Sequence, residues 1–414
     1  MDFFPDKEPR ELRARILIPT VVIIFTFFIL IARFWYLQVM EGAHYNDLAR
    51  NNSIRLVKSS APRGLIFDRN GERLAENRPG FDLMIIPNDL KDRETTLDTL
   101  SKLVSIERAE IEERLEKAKG HPPFEGVKIK DDLSWEEMVK IEITKLKLPG
   151  VVLRVGPKRS YTSKDATAHL VGYLGEINEN ELRNLNKKAT PQYRSGDMTG
   201  KYGIEHSFEE SVRGTDGGRH IEVDVLGREI RVLKRFPAEP GNNLHTTIDL
   251  PTQMAAWEAM RDKAGAVCAM DPNTGEILVL LSTPSFNPNA LTVGVSKDEW
   301  RTILKNPLNV LTNRAIQGQY PPASTFKVIT AAAALEENIV KPTQKIFSGP
   351  SFFFRDREYR DWKEEGHGEI NVHRAIVESS DTFFYQVGLS LGIKNISDYA
   401  KWFGLGEKTG IALK

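Results

Sequence analysis

The chain has 414 residues, enough for about two to four structural units of ~100–200 residues. Apolar residues make up 40% and charged residues 28%, which excludes wholesale disorder and a polytopic membrane protein. Lysine plus arginine equals aspartate plus glutamate at 57 each, so nothing global draws the chain to nucleic acid, and its one cysteine, Cys268, excludes an intramolecular disulfide or a Cys-rich metal site.

Ile16 to Ala32 is uncharged and apolar apart from Pro19 and a threonine or two. At about 1.5 Å per residue it falls just short of a ~30 Å hydrocarbon core, and Phe34, Trp35, Tyr36 and Leu37 extend it. A signal peptide needs small residues before its cleavage site, which Gln38-Val39-Met40 does not supply. Lys7, Arg10, Arg13 and Arg15 precede the span. The sequence therefore predicts a single-pass signal anchor with a cytoplasmic N-terminus and a body exported to the periplasm.

Residues 39–245 carry no cluster that suggests chemistry and read as a support. Ile66-Phe67 followed by Asp68-Arg69-Asn70-Gly71 predicts a strand and a turn, and Phe81 to Ile86 predicts a second strand ending at Pro87. Leu97, Leu100, Leu103 and Val104 begin a helical pattern that runs to Lys119, and Ser134 with Glu137 is a capping box for a helix to about Leu146. The many charges here read as a solvated face. Gly200-Lys-Tyr-Gly203-Ile-Glu205 lacks the spacing and terminal residues of a phosphate loop, so turns are the better reading.

A new unit begins near His245, with a helix predicted from Pro251 to about Lys263. Gly265–Met270, the turn Asp271–Gly275 and Ile277–Leu281 read as a hairpin, with Cys268 a small buried thiol in its first strand. Tyr320-Pro321-Pro322-Ala323-Ser324-Thr325-Phe326-Lys327 leads into an Ala-rich helix former, Val328 to Glu337. Ser324 near the helix start and Lys327 one turn on suit a hydroxyl nucleophile with an amine base. The bland alternative is a capping serine and a surface lysine. Ser379 and Asp381, ahead of a further helix, read either as an ordinary Asp381 N-cap or as a second motif that passes and holds a proton.

Ser-x-x-Lys, Ser-Asp-Asn and Lys-Thr-Gly are the signature of penicillin-binding proteins and their lactamase relatives, and here Asp381 stands where division-type relatives usually carry Asn. With the anchor, Arg63-Gly64-Leu-Ile66-Phe-Asp68-Arg69-Asn70-Gly71 and Gly203-Ile-Glu205, the chain resembles class B penicillin-binding proteins, closest to the elongation-type penicillin-binding protein 2 branch. The resemblance implies an α+β protein with a transmembrane helix in residues 1–38, an elongated α+β pedestal (the dimerisation-type domain) in 39–245, and the N-terminal part of a serine β-lactamase-like transpeptidase domain in 246–414. It implies a peptidoglycan D,D-transpeptidase of the inner membrane that shapes the elongating cell. Ser324 would be acylated by the D-Ala-D-Ala stem peptide, with Lys327 as base, Ser379 relaying protons, Asp381 ordering that network and the Ser324 amide giving half an oxyanion hole. β-Lactams would trap Ser324. The implied partner is a rod-shape SEDS-type glycosyltransferase met through anchor and pedestal, with no nucleic acid and no cofactor.

Two departures stand out. Ala323 replaces a glycine common in relatives, which matters only if that position has positive φ. Lys408-Thr409-Gly410 matches the letters of the family's third motif but lies too close to Asp381, so the expectation is a catalytic domain cut short before the true motif. A truncated anchor-plus-pedestal that only activates the polymerase is the alternative. A penicillin-sensing receptor would need more spans and a His-Glu-x-x-His protease, while a D,D-carboxypeptidase would use the same serine with water. A structural zinc is not expected. Asp361 and His367 are spaced like ligands, with His373 following, but Ser380 and Ser348 stand where a thiol and an acid would be needed. Asp361 and His367 should instead hydrogen-bond.

Overall fold

The computed structural model describes residues 10–41, 54–119, 126–187, 193–194, 196–223 and 229–413. Helix α1 (Arg10–Trp35) passes through Pro19 without breaking and continues into a π turn, Tyr36–Met40. Within it, Pro19–Met40 is long and apolar enough to cross a membrane. Its 22 residues rise about 33 Å, matching a ~30 Å core, and none of that stretch is buried against the rest of the protein. The side chains of Arg10, Arg13 and Arg15, and all of Lys7, lie outside the described residues.

The pedestal is built on a sheet of β2 (Ile66–Phe67), β3 (Arg73–Ile85), β4 (Val127–Lys130), β5 (Val151–Tyr161) and β10 (Leu244–His245). Asp68 makes the predicted turn after β2, its carboxylate accepting from the Asn70 and Glu72 amides at 2.8 Å. The predicted strand at Phe81–Ile86 is only the end of β3, which pairs antiparallel with β5 from Ala75↔Tyr161 to Ile85↔Val151. The single predicted helical stretch from Leu97 to Lys119 is instead two helices, α2 (Arg93–Val104) and α3 (Arg108–Lys117), because Ser105 turns left-handed at φ 51°. The capping box at Ser134 starts α4 (Trp135–Thr144) as the spacing predicts. Leu83, Ile85, Leu97, Leu100, Ile111, Ile129 and Ile141 form the core between these helices and the sheet. A second sheet orders β1 (Ile54–Ser59), β8 (Gly217–Val223) and β9 (Glu229–Phe236), and a small pair joins β6 (Leu174–Glu176) to β7 (Met198–Gly200).

Not all pedestal charges are solvated. Arg63 bonds Glu205 at 2.8 Å and Glu209 at 2.7 Å, Arg159 bonds Glu205 at 2.6 Å, and all four side chains are buried. Tyr193 and the Gly200 amide add hydrogen bonds to Glu209. Burial alone would lower the Arg63 pKa, but the two carboxylates outweigh it and raise it. Segment Gly203–Glu205 is thus a helical turn that delivers Glu205 to the network.

In the second unit, Asp249 caps α5 (Leu250–Met260), and β11 (Gly265–Met270) pairs with β12 (Ile277–Thr283) around the predicted turn. Cys268 is exposed rather than buried, because alternate β11 residues, Ala266, Cys268 and Met270, lie on the open face of the hairpin. After three short helices between Pro288 and Gln317 come α6 (Lys327–Glu336), β13 (Ile346–Ser348), β14 (Ser351–Phe354), β15 (Arg357–Arg360), β16 (Gly368–Ile370), α7 (Val372–Val377) and α8 (Asp381–Trp402), which kinks at Gly392.

The two units share a seam. Asn289 hydrogen-bonds both the N–H and the C=O of Tyr161 at 2.9 Å, as a strand partner would. Gln253 donates to the Ala166 carbonyl at 2.7 Å while bonding Leu280, and Asn313 donates to the His169 carbonyl. Ile66, Leu74, Tyr161, Leu170 and Ile204 pack with Ile248 and Leu280 in one core.

Candidate active site

Ser324 lies on a 3-10 turn, Ala323–Phe326, that runs directly into α6, so it and Lys327 share one continuous helical segment. Ala323 has φ 48°, the left-handed region in which its methyl group is strained. The condition under which the missing glycine matters is therefore met. Ala331 and Ala334 on α6 pack against Ala375 of α7 and Phe383, Phe384 and Val387 of α8. These small residues let the helices approach closely, and that core fixes the nucleophile segment against the second motif.

Lys327 is mostly buried, and its Nζ makes three contacts across this junction. It donates to the Ser379 carbonyl at 2.6 Å and to Ser379 Oγ at 3.2 Å, and it pairs with Asp381 Oδ1 at 2.6 Å. Ser324 is exposed and shares no hydrogen bond with Lys327 among the described residues. The structure thus unites Lys327, Ser379 and Asp381 directly, and joins Ser324 to them through the helix. Asp381 is not the N-cap: Ser380 caps α8 by accepting from Phe383 N, leaving the Asp381 carboxylate free for Lys327. Ser379 itself is left-handed, at φ 53°.

A buried polar cluster supports this turn. Asp361 Oδ2 accepts from Thr382 N at 2.9 Å and from Ser380 Oγ at 3.1 Å, and Ser348 Oγ lies 2.6 Å from Ser380 Oγ and 2.7 Å from Thr382 Oγ1. His367 does hydrogen-bond Asp361, Nε2 to Oδ1 at 3.1 Å, and its Nδ1 meets Glu378 Oε2 at 2.7 Å. Burial pushes the Asp361 carboxyl up, but the Thr382 amide and His367 outweigh it and hold it well below the usual range. His367 and then Arg374 bring Glu378 down to about 2. Glu378, Thr382 and Trp362, whose Nε1 donates to the Glu378 carbonyl, were not singled out by the sequence. Only the helix start after them hinted at their place.

The residues at this position do not fit a zinc ion. A structural zinc would need four N, S or O donors, but Ser348 and Ser380 are hydroxyls bonded to each other and to their neighbours. Both His367 ring nitrogens face carboxylate oxygens, leaving no lone pair free, and His373 has no part in the cluster among the described hydrogen bonds. No group of three or more His, Cys, Asp or Glu side chains suited to a metal occurs among the described residues. Lys408-Thr409-Gly410 lies beyond α8 in exposed, non-strand chain.

Comparison with known proteins bears on the whole chain. The penicillin-binding protein dimerisation domain matches residues 58–246, and the penicillin-binding protein transpeptidase domain matches 265–414. The peptidoglycan D,D-transpeptidase MrdA of Acinetobacter baumannii is 34% identical over 98% of this chain and 60% of its own length. The MrdA of Escherichia coli K12 is 35% identical over 93% and 61%. The chain therefore spans about 60% of the length of these relatives. Penicillin-binding protein 2 of Helicobacter pylori, solved in complex with MreC, superposes with a TM-score of 0.76 at 28% identity, covering 87% of this chain and 67% of that one.

Proposed function

We propose that this chain, which belongs to the penicillin-binding proteins that couple a dimerisation domain to a transpeptidase domain, is an elongation-type peptidoglycan D,D-transpeptidase acting through an acyl-serine intermediate. The observation that carries the reading is Lys327 Nζ, held on Ser379 and Asp381 one helical turn after Ser324. Ser324 Oγ attacks the carbonyl between the two D-alanines of a stem peptide and gives up its proton to Lys327. The C–N bond breaks as the proton taken by the Lys327 amine passes through Ser379 Oγ to the departing D-alanine amine, so that Ser379 ends as a hydroxyl and Lys327 as a free amine. The Ser324 amide, on the turn before α6, stabilises the oxyanion. An amine of a second stem peptide then takes the acyl group and closes the crosslink; water in its place would give carboxypeptidase activity. β-Lactams, which mimic the donor, acylate the same oxygen.

The anchor would occupy residues 1–38, the pedestal 39–245 and the transpeptidase unit 246–414, with the N-terminus in the cytoplasm and the body in the periplasm. The exposed apolar α1 suits a helix partner in the inner membrane, such as a rod-shape SEDS-type glycosyltransferase. A pedestal cleft of about 830 Å³, bordered by Lys58, Arg154, Lys158 and Asp197, offers room for a periplasmic partner of the kind seen with the Helicobacter protein. The deciding experiment is fluorescent-penicillin labelling of the full-length protein. Ser324→Ala should abolish it, and persistent labelling would refute the assignment.

A further inference from the structure

Both Lys327 contacts with Ser379 depend on a backbone conformation that serine does not favour. With φ at 53°, Ser379 turns its carbonyl and its hydroxyl toward the same Nζ. Such a conformation persists only where the surroundings over-determine it. The surroundings here act on the residues either side of it. Before it, the Glu378 side chain is held by His367 and Arg374, and its carbonyl by Trp362. After it, Ser380 and Thr382 are held by Asp361. One side chain ties the two flanks together: His367, whose own ring is fully buried, reaches Glu378 with Nδ1 and Asp361 with Nε2. Each ring nitrogen faces a carboxylate oxygen, at 2.7 Å to Glu378 and 3.1 Å to Asp361, so the ring spans the gap between the two flanks.

We propose that His367 is a positioning residue: by bridging Asp361 and Glu378 it closes a clamp around Ser379, fixing the left-handed turn in which Lys327 meets Ser379 and Asp381. The imidazole touches neither Lys327 nor Ser324, and it acts through the turn. This rests on the reading of Ser324 as the acylated residue. The geometry also explains why two serines suffice in this cluster, since Ser348 and Ser380 only need to bond each other and their neighbours while Asp361 and His367 make the link to Glu378.

The test uses the full-length protein and a fluorescent penicillin, measuring both the acylation rate constant and the end-point label per chain. His367→Gln has one side-chain donor group and cannot donate to both carboxylates. It should slow acylation about tenfold or more, because a displacement of ~1 Å in a positioned group can cost 10²-fold. End-point labelling should still reach the wild-type level, and the non-covalent dissociation constant for the penicillin should be unchanged. A mere folding defect would instead lower the end point and leave the rate of the labelled fraction intact, which would overturn the proposal. So would acylation within about twofold of wild type in folded His367→Gln. Should that variant fail to fold, Glu378→Gln, on the exposed end of the same bridge, carries the same expectation and the same refutation. Ser324→Ala separates the two readings. Label surviving there refutes the assignment of the nucleophile, whereas label lost there with wild-type kinetics in His367→Gln refutes only the clamp.

Discussion

Replacing Arg63 tests whether the buried ionic network holds the pedestal together. Arg63 makes four hydrogen bonds to two carboxylates, Nε and Nη2 to Glu205 and Nη1 and Nη2 to Glu209, at 2.7–3.2 Å. In Arg63→Met the apolar stem is retained and the fork removed. Glu205 keeps Arg159 at 2.6 Å, but Glu209 loses its cation and is left with the Tyr193 hydroxyl and the Gly200 amide. One of the two buried carboxylates is then left without a cation. Stranding a buried charge in this way costs about 3–5 kcal/mol, and the surviving partners place this case near the lower end. For a unit of this size each kcal/mol moves the melting temperature by about 2–4 °C, so a loss of ~3 kcal/mol predicts a fall of roughly 6–12 °C in scanning calorimetry. Adding Glu209→Gln to Arg63→Met should recover part of the loss, because it removes the stranded charge. A shift below about 2 °C for Arg63→Met, or a double variant no more stable than the single, would show that the network is incidental.

Other outcomes follow from the site. Ala323→Gly relieves a left-handed alanine worth about 1–2 kcal/mol but gives back about 0.4–1 kcal/mol of unfolded-chain entropy, so the melting temperature should hold or rise slightly, whereas Ala323→Val should lower it clearly. Glu378 and Asp361 are held below their unfolded values, so their stabilisation is complete above about pH 5 and is lost as pH falls toward 2. The stability advantage of wild type over Glu378→Gln should therefore be constant at neutral pH and shrink between about pH 4.5 and 2, as read by melting temperature against pH. Purified protein should contain no stoichiometric zinc after mild chelation; zinc that survives it would mean that other ligands complete the shell.

The residues that touch one another through local spacing were the ones legible in sequence. Ser324 and Lys327 announce themselves because they sit one turn apart beside two prolines, and Ser134 with Glu137 because a capping box is a four-residue pattern. Arg63, Arg159, Glu205 and Glu209 carry no such mark. They come from separate elements of the pedestal, and a charged residue reads as solvated unless its fold is known. Ser380 and Asp381 compete for the same cap, and only the position of Lys327 decides which of them takes it. Cys268 misled for the opposite reason. An apolar strand implies two covered faces, and β11 has one among the described residues.

The seam between the units has a consequence for anyone exchanging parts between relatives. A crossover placed at 245/246 respects the chain, yet it separates Tyr161 from Asn289, Ala166 from Gln253 and His169 from Asn313, pairs in which the pedestal contributes only backbone. The pedestal's side of those bonds is carbonyl and amide, so its side chains need to match only where they cross the joint themselves, as Asp68, Arg69 and the core residues Tyr161 and Leu170 do. What must be inherited together is the geometry of residues 161–174 and the amide side chains that read it. Chimeras that keep Gln253, Asn289 and Asn313 should accept a foreign pedestal, while chimeras that alter them should fail at the joint with both halves individually sound.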